Sequence, residues 1–248
     1  MLKRLFTLFI FVALILSLAP SDKTIAAEEN TSKTLSVEEI IEKIKENQEK
    51  IKDMSADVET KITSTLKDSK EIIQKGQILT KPPDKSRVEI FSPMRQITIT
   101  NGDTMTIISP DTGMKFTQDL SKEKSAMSKL SSPSDTTKIF DYFDLKLTDH
   151  GTKEYIISGS PKEENEFLGK IDFFVDRERI IPLRIVIYNP EGVLISLSEL
   201  EYKKISDIWI PIKTASIVSV PGGSMNVDME FKNIKINKGI SDDKFKAE

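Results

Sequence analysis

The feature that most constrains this chain is a period of two. Met225, Val227, Met229 and Phe231 alternate with Asn226, Asp228, Glu230 and Lys232. A strand turns successive side chains to opposite faces, so this pattern predicts a strand with one face buried and the other wet. The period recurs from Ser55, where Ala56, Val58, Thr60 and Ile62 alternate with Asp57, Glu59 and Lys61. Ile72–Thr80 follows as a partner strand, Arg87–Phe91 is another, Gln96–Thr100 alternates with Ile97 and Ile99 on one face, a return strand carries Met105 and Ile107, and Met114–Thr117 is short. From Leu145 the strands resume with Tyr155–Ser158, Gly169–Val175, Leu183–Tyr188, Val193–Tyr202 and Trp209–Val218, and Met225–Ile236 closes the series. Turn chemistry separates them. Neither proline of Lys81-Pro82-Pro83-Asp84 can donate to a ladder. Asn101-Gly102 tolerates positive φ, and Asn189-Pro190-Glu191-Gly192 has the residues of a type I turn. About a dozen strands joined mostly by hairpins predict a mainly β (α+β) chain built on one large curved antiparallel sheet.

Two segments stand outside the alternation. Ser36 and Glu39 have capping-box spacing, and Val37, Ile40, Ile41, Ile44, Ile51 and Met54 fall on one face at helical spacing. This predicts an amphipathic helix running to about Met54. Residues 119–138 are rich in Ser, Lys and Asp. They read as a short helix near Leu120–Leu130 and a second at Asp135–Phe143, so 119–144 is a helical insertion placed to act as a lid. At the N-terminus Lys3 and Arg4 precede the apolar run Leu5–Ala19, and Ala26-Ala27 follows. A charged head, an apolar middle and a small-residue exit predict an export signal over 1–27, with cleavage after Ala27 or Ala26. The apolar middle is shorter than the roughly 20 residues of a membrane span, and an uncleaved N-terminal anchor is the alternative. A polar leader, 28–35, and a single domain, 36–248, complete the expected organisation. The expected location is outside the cytoplasm, in the cell envelope.

Composition excludes several functions. Net charge is −3, and residues 1–27 carry Lys3, Arg4 and Lys23 against Asp22, which leaves −5 beyond the signal. A chain this acidic is not expected to bind nucleic acid. With no cysteine, disulfides, zinc–thiolate sites and cysteine nucleophiles drop out. His150, the only histidine, sits in the turn-like Thr148-Asp149-His150-Gly151 with no second imidazole to join it. Ser158-Gly159-Ser160 lacks the nucleophile-elbow context. Glu163, Glu164 and Glu166 read as a solvated loop, Asp141 and Asp144 lack calcium-loop spacing, and Trp209 reads as an anchor of the sheet. No catalytic set, cofactor or metal site is expected. A curled sheet with little helix to cover it would leave an apolar trough, and methionines 94, 105, 114, 225 and 229 would adapt to ligands of varying shape. The same residues equally suit a core packed beneath the helix.

The order of these elements resembles the LolA-like family of periplasmic outer-membrane lipoprotein-sorting proteins, from about Ser36 to Phe245. The likeness rests on the helix, the strand Ser55–Leu66, and Gly76 leading to Lys81-Pro82-Pro83-Asp84-Lys85-Ser86-Arg87-Val88. It continues with Asn101-Gly102, Val175-Asp176-Arg177 before Ile181-Pro182-Leu183, Asn189-Pro190-Glu191-Gly192, Tyr202-Lys203-Lys204-Ile205, Ile208-Trp209-Ile210-Pro211 and the close Asp242–Phe245. The second half looks like the family's lipoprotein-sorting branch. The resemblance implies an incomplete β-barrel, or half-barrel, with a helical lid over an apolar cavity. It implies a monomeric chaperone for lipoprotein acyl chains or lipids, loaded by an inner-membrane releasing complex and unloaded at an outer-membrane acceptor. An envelope lipid sensor that signals through a protein partner is the alternative. The expected cavity lining is Ile97, Ile99, Met105, Ile107, Phe173, Ile185, Ile187, Met225, Val227, Met229 and Phe231. The choice of face stays open where both are apolar, as in Ile185-Val186-Ile187. Met229→Arg is the substitution expected to abolish lipid binding with the sheet intact. Arg87 corresponds either to the family's arginine that ties lid to barrel or to a solvated strand residue. The Ser/Lys-rich insertion departs from the family's carriers.

Overall fold

The computed structural model of the chain describes residues 35–122, 140–149, 152–164 and 166–247. The export signal, nearly all of the polar leader, most of the insertion and His150 lie outside the described residues. The helix α1 spans Val37–Glu49. The Ser36 hydroxyl accepts the Glu39 N–H at 3.2 Å and the Glu39 carboxylate accepts the Ser36 N–H at 2.8 Å, the reciprocal capping box that the spacing predicts. The helix stops five residues short of Met54 because Asn237 terminates it. The Asn237 amide donates to the Lys50 carbonyl at 2.8 Å and its oxygen takes the Lys52 N–H at 2.7 Å. Ile51 therefore leaves the helical stripe and packs with Ile208, Ile210 and Ile236, with Met54 against them.

Thirteen strands follow: β1 (Met54–Ser64), β2 (Ile72–Lys81), β3 (Lys85–Ser92), β4 (Gln96–Asn101), β5 (Thr104–Ser109), β6 (Met114–Asp119), β7 (Phe143–Asp149), β8 (Glu154–Pro161), β9 (Lys170–Asp176), β10 (Pro182–Tyr188), β11 (Leu194–Ile205), β12 (Ile208–Val220) and β13 (Gly223–Ile236). They form one sheet in the order β6-β5-β4-β3-β2-β1-β13-β12-β11-β10-β9-β8-β7. Every described neighbour pair is antiparallel. The sheet curves but does not close into a barrel, and β6 and β7 are its two edges. Among the described residues the one pairing between strands distant in sequence is β1 with β13, where Thr60 stands opposite Met229 and Ile62 opposite Val227.

The Asn101 hairpin and the insertion differ from the sequence reading by more than a shift of strand ends. Asn101 ends β4, and Gly102-Asp103 forms the turn, with Gly102 at a φ of 59° where an L side chain would be strained. Phe143 opens β7 rather than closing a helix; the described end of the insertion is one helical turn at Phe140–Tyr142. Of the first helix expected in the insertion, a 3₁₀ turn at Leu120–Lys122 is described.

The sheet has two faces with different covers. Ile40 and Ile44 of α1, together with Phe140, pack on Phe143, Tyr155, Ile157, Ile171, Phe173, Ile185, Ile187 and Leu200. We call this the helix face; α1 covers its β7–β11 half. On the opposite face the chain beyond β13 returns over β3 and β4 through the 3₁₀ turn Asp242–Phe245, which buries Phe245. We call it the tail face.

Candidate functional site

Register places the expected lining residues on both faces. Met105 and Ile107 share a face with Thr98, Thr100, Val88 and Ile78, and through β2 with Ala56 and Val58 of β1. Phe231, Met229, Val227 and Met225 stand opposite Val58, Thr60, Ile62 and Ser64 on that same face. The face continues through Ser216 and Ser198 to Ile185 and Phe173, with Ile187 one step along. These nine residues therefore lie on the helix face. Met225, Val227, Met229, Phe173, Ile185 and Ile187 are buried there, while Met105, Ile107 and Phe231 are half-buried.

Ile97 and Ile99 lie on the tail face, in register with Glu89 and Arg87. The alternation that made them an apolar row also sends Thr98 and Thr100 to the helix face. Ile99 is buried because the C-terminal segment covers it. Beneath that segment is a cleft of about 1010 Å³ bounded by Leu79, Ile97, Ile99, Ile108, Arg87 and Ile240, among others. Arg87 faces this cleft. Its guanidinium pairs with Glu89 and donates to the Lys244 carbonyl at 3.2 Å. These contacts are on the face away from α1.

The C-terminal segment is held by several contacts that the sequence reading missed. The Asp53 carboxylate, 5% exposed, accepts the N–H groups of Lys238 and Gly239 at 2.8 and 2.9 Å and so sets the direction of the return. Lys81 and Lys85 reach Asp242 at 2.5 and 2.8 Å. Hydrogen bonds from the two lysines hold the Asp242 carboxyl down at about 2. A depressed carboxylate stabilises the fold above its ordinary range, and that contribution is lost as pH falls towards 2. On the helix side Asn47 clamps β12: its amide donates to the Trp209 carbonyl at 3.0 Å and its oxygen accepts the Trp209 N–H at 3.1 Å. Trp209 also carries the Arg179 guanidinium over its ring at 5.5 Å. Asparagine is common in turns and caps, so nothing in its spacing distinguishes Asn47 or Asn237 from a solvated residue.

The helix face is not uniformly apolar. Thr60, Thr80, Ser86, Thr98, Thr100, Ser196, Ser198, Thr214 and Ser216 are all buried on it. Ser198 and Ser216 satisfy each other at 2.8 Å. Thr214 Oγ1 and Gln74 Oε1 are buried with no hydrogen-bond partner among the described residues. A buried hydroxyl without a partner costs its desolvation. Thr214→Val keeps the shape and removes that cost, so it is expected to stabilise the protein by about 1 kcal/mol. The check is a higher urea midpoint at unchanged slope.

The residues set aside on sequence grounds find structural employment. Ser158 donates to Asp172 at 2.6 Å, and Lys170 pairs with Asp172 at 2.8 Å. Asp141 pairs with Lys45 of α1 at 3.4 Å. Among the described residues no three His, Cys, Asp or Glu side chains are placed to hold a metal ion, and no helix is long and apolar enough to cross a membrane.

A family model described as "-like: Uncharacterized protein" matches residues 115–248, more than half of the chain. No curated protein matches significantly. Among solved structures, a LolA superfamily protein from Nitrosomonas europaea is 16% identical, with a TM-score of 0.65 over 86% of this chain and 99% of its own. A DUF1329 family protein from Desulfovibrio piger is 16% identical, with a TM-score of 0.67 over 86% and 98%. A domain from Vibrio parahaemolyticus described as outer membrane lipoprotein-sorting is 13% identical, with a TM-score of 0.61 over 83% and 95%. At these identities the likeness is one of fold.

Proposed function

This chain belongs to the uncharacterized-protein family matched over residues 115–248 and is LolA-like in fold, and we propose that it is an exported, non-enzymatic carrier of lipids or lipoproteins. It shelters acyl chains on the helix face and serves outer-membrane lipoprotein sorting. Loading from an inner-membrane releasing complex and delivery to an outer-membrane acceptor follow from that role. The observation that carries the reading is that the helix face, buried over most of its breadth, keeps an apolar row that is only half-covered. The cluster under α1 is made by β7–β11. Met105, Ile107 and Phe231 lie on the same face beyond it and are only half-buried. Each methylene of a chain moved there from water contributes about 0.8 kcal/mol. Curvature and two unpaired edges leave the sheet free to adjust to the chain it holds. A single domain over 36–248 and the segment 119–144 as lid belong to the same reading.

Native mass spectrometry of the protein purified from an envelope fraction, with lipid extraction of any adduct, tests it. The expected result is an acylated species bound one to one. A clean apo mass, together with no uptake of added lipid, would overturn the carrier and leave a filled core of the same fold.

A further inference from the structure

Eight of the nine large hydrophobic side chains exposed among the described residues sit at one end of the sheet. In an antiparallel meander the β1–β2, β3–β4, β5–β6, β8–β9, β10–β11 and β12–β13 turns all lie at the same end. Leu66, Ile73, Phe91, Met94, Met114 and Phe116 lie in the first three of these turns or within three residues of them, with exposures of 38% to 75%. Phe167 and Val193 lie at the same end of the other half. The remaining one, Ile217, is on the tail face of β12, and the opposite end of the sheet has none. Scattered single hydrophobics need no explanation, but six on three neighbouring turns form a patch.

The charges around the patch decide what it meets. Lys67, Lys70 and Arg95 stand exposed in the same turns, and their side chains make no hydrogen bond or ion pair among the described residues. The acids nearby are mostly engaged. Glu71 pairs with Lys61 at 2.5 Å, and Asp111 accepts the Arg95 backbone N–H at 3.1 Å, tying the β3–β4 turn to the β5–β6 turn. Asp68 is the one acid of the β1–β2 turn without a partner among the described residues. The other half of this end is acidic, with Glu163, Glu164, Glu166 and Glu191 exposed. Apolar tips beside unpaired cations suit the headgroup layer of an anionic bilayer, where flexible apolar side chains enter the interface and cations meet lipid phosphates.

We propose that the β1–β6 half of this rim is a docking surface for an anionic lipid bilayer, with Met94 and Phe91 entering the interface and Lys67, Lys70 and Arg95 at headgroup level. The acidic half stays off the membrane, so the molecule docks tilted. This does not depend on what the helix face binds.

The chain has no cysteine, so a single introduced thiol can be labelled cleanly. The full chain is prepared as Met94→Cys and, separately, Val193→Cys, each carrying the environment-sensitive fluorophore NBD. A probe that reads its own depth separates rim docking from attachment by any other part of the chain. With phosphatidylglycerol vesicles the Met94→Cys probe is expected to shift to the blue with a several-fold rise in emission. Phosphatidylcholine vesicles should leave it unchanged, as should 1 M salt, where screening falls to about 3 Å. The Val193→Cys probe should not respond. Adding Lys67→Glu, Lys70→Glu and Arg95→Glu should abolish the response at position 94 while circular dichroism stays unchanged. No response on any vesicle, or an equal response at 94 and 193, would overturn the proposal. A blue shift that grows with protein concentration without vesicles would overturn it in favour of a second copy of the chain as the occupant.

Discussion

Met229→Arg is expected to leave the protein largely unfolded. Met229 is 1% exposed and stands in register between Thr60 of β1 and Thr214 of β12, on the face opposite Asp228 and Glu230. A guanidinium there would find hydroxyls but no carboxylate. Burying an unpaired charge is among the few mechanisms that cost more than about 4 kcal/mol, a large share of the roughly 5–15 kcal/mol that holds an ordinary domain together. The check is loss of the far-ultraviolet strand signal and of the monomer peak on size exclusion. Met229→Leu, which conserves volume, should cost less than about 1.5 kcal/mol. The alternation of β13 shows that Met229 faces inward, but not how deeply it is buried. The expectation that Met229→Arg separates binding from folding therefore yields to the burial. Met105 and Ile107 suit that experiment better: both are on the helix face and only half-buried, so an arginine there can reach water and block an apolar ligand without emptying the core.

Most strands were legible because they obey a period of two, as β1 and β13 do, and because turn residues such as Asn101-Gly102 and Asn189-Pro190-Glu191-Gly192 announce hairpins. The helix start was legible because a capping box is a local signal. Two things were not, for one reason. The helix end and the tail face are both set by the segment beyond β13, which contacts residues more than 150 positions away. Asn237 stops α1 at its last turn, and the segment after Gly239 covers Ile97 and Ile99. Alternation alone reported that Ile97 and Ile99 share a face; it could not report that this face has its own cover. The hydroxyls at Thr98, Thr100, Ser196 and Ser198 follow the same logic. Polar residues of an alternating strand are read as the wet row, yet here they are buried. In β11 Ser196 and Ser198 share their row with Leu200, and the Ser198–Ser216 bond satisfies the hydroxyls internally.

Phe245→Ala is expected to release the C-terminal segment and to cost about 3 kcal/mol or more, the range for truncating a buried phenylalanine. Phe245 is 1% exposed in a turn packed on β3 and β4. The polar contacts of the segment cannot replace it. Asp242 is exposed, and exposed ion pairs contribute little to stability even when their geometry is good. The bonds from Arg87 to the Lys244 carbonyl and from Lys115 to the Ala247 carbonyl fix where the segment lies once it is down. Without the ring, ordering the segment has to be offset by contacts that water can also make. Trypsin should then cut after Lys244 and Lys246 well before it attacks the sheet, and the thermal midpoint should fall by several degrees. Asp242→Asn should loosen the segment much less at pH 7. If Phe245→Ala lowered stability without early cleavage at these lysines, the segment would be part of one cooperative unit with the sheet rather than a strap laid on it. Release would also uncover Ile99 and the apolar floor of the tail-face cleft. An apolar dye should bind Phe245→Ala more strongly than the parent protein, on the face that α1 does not touch.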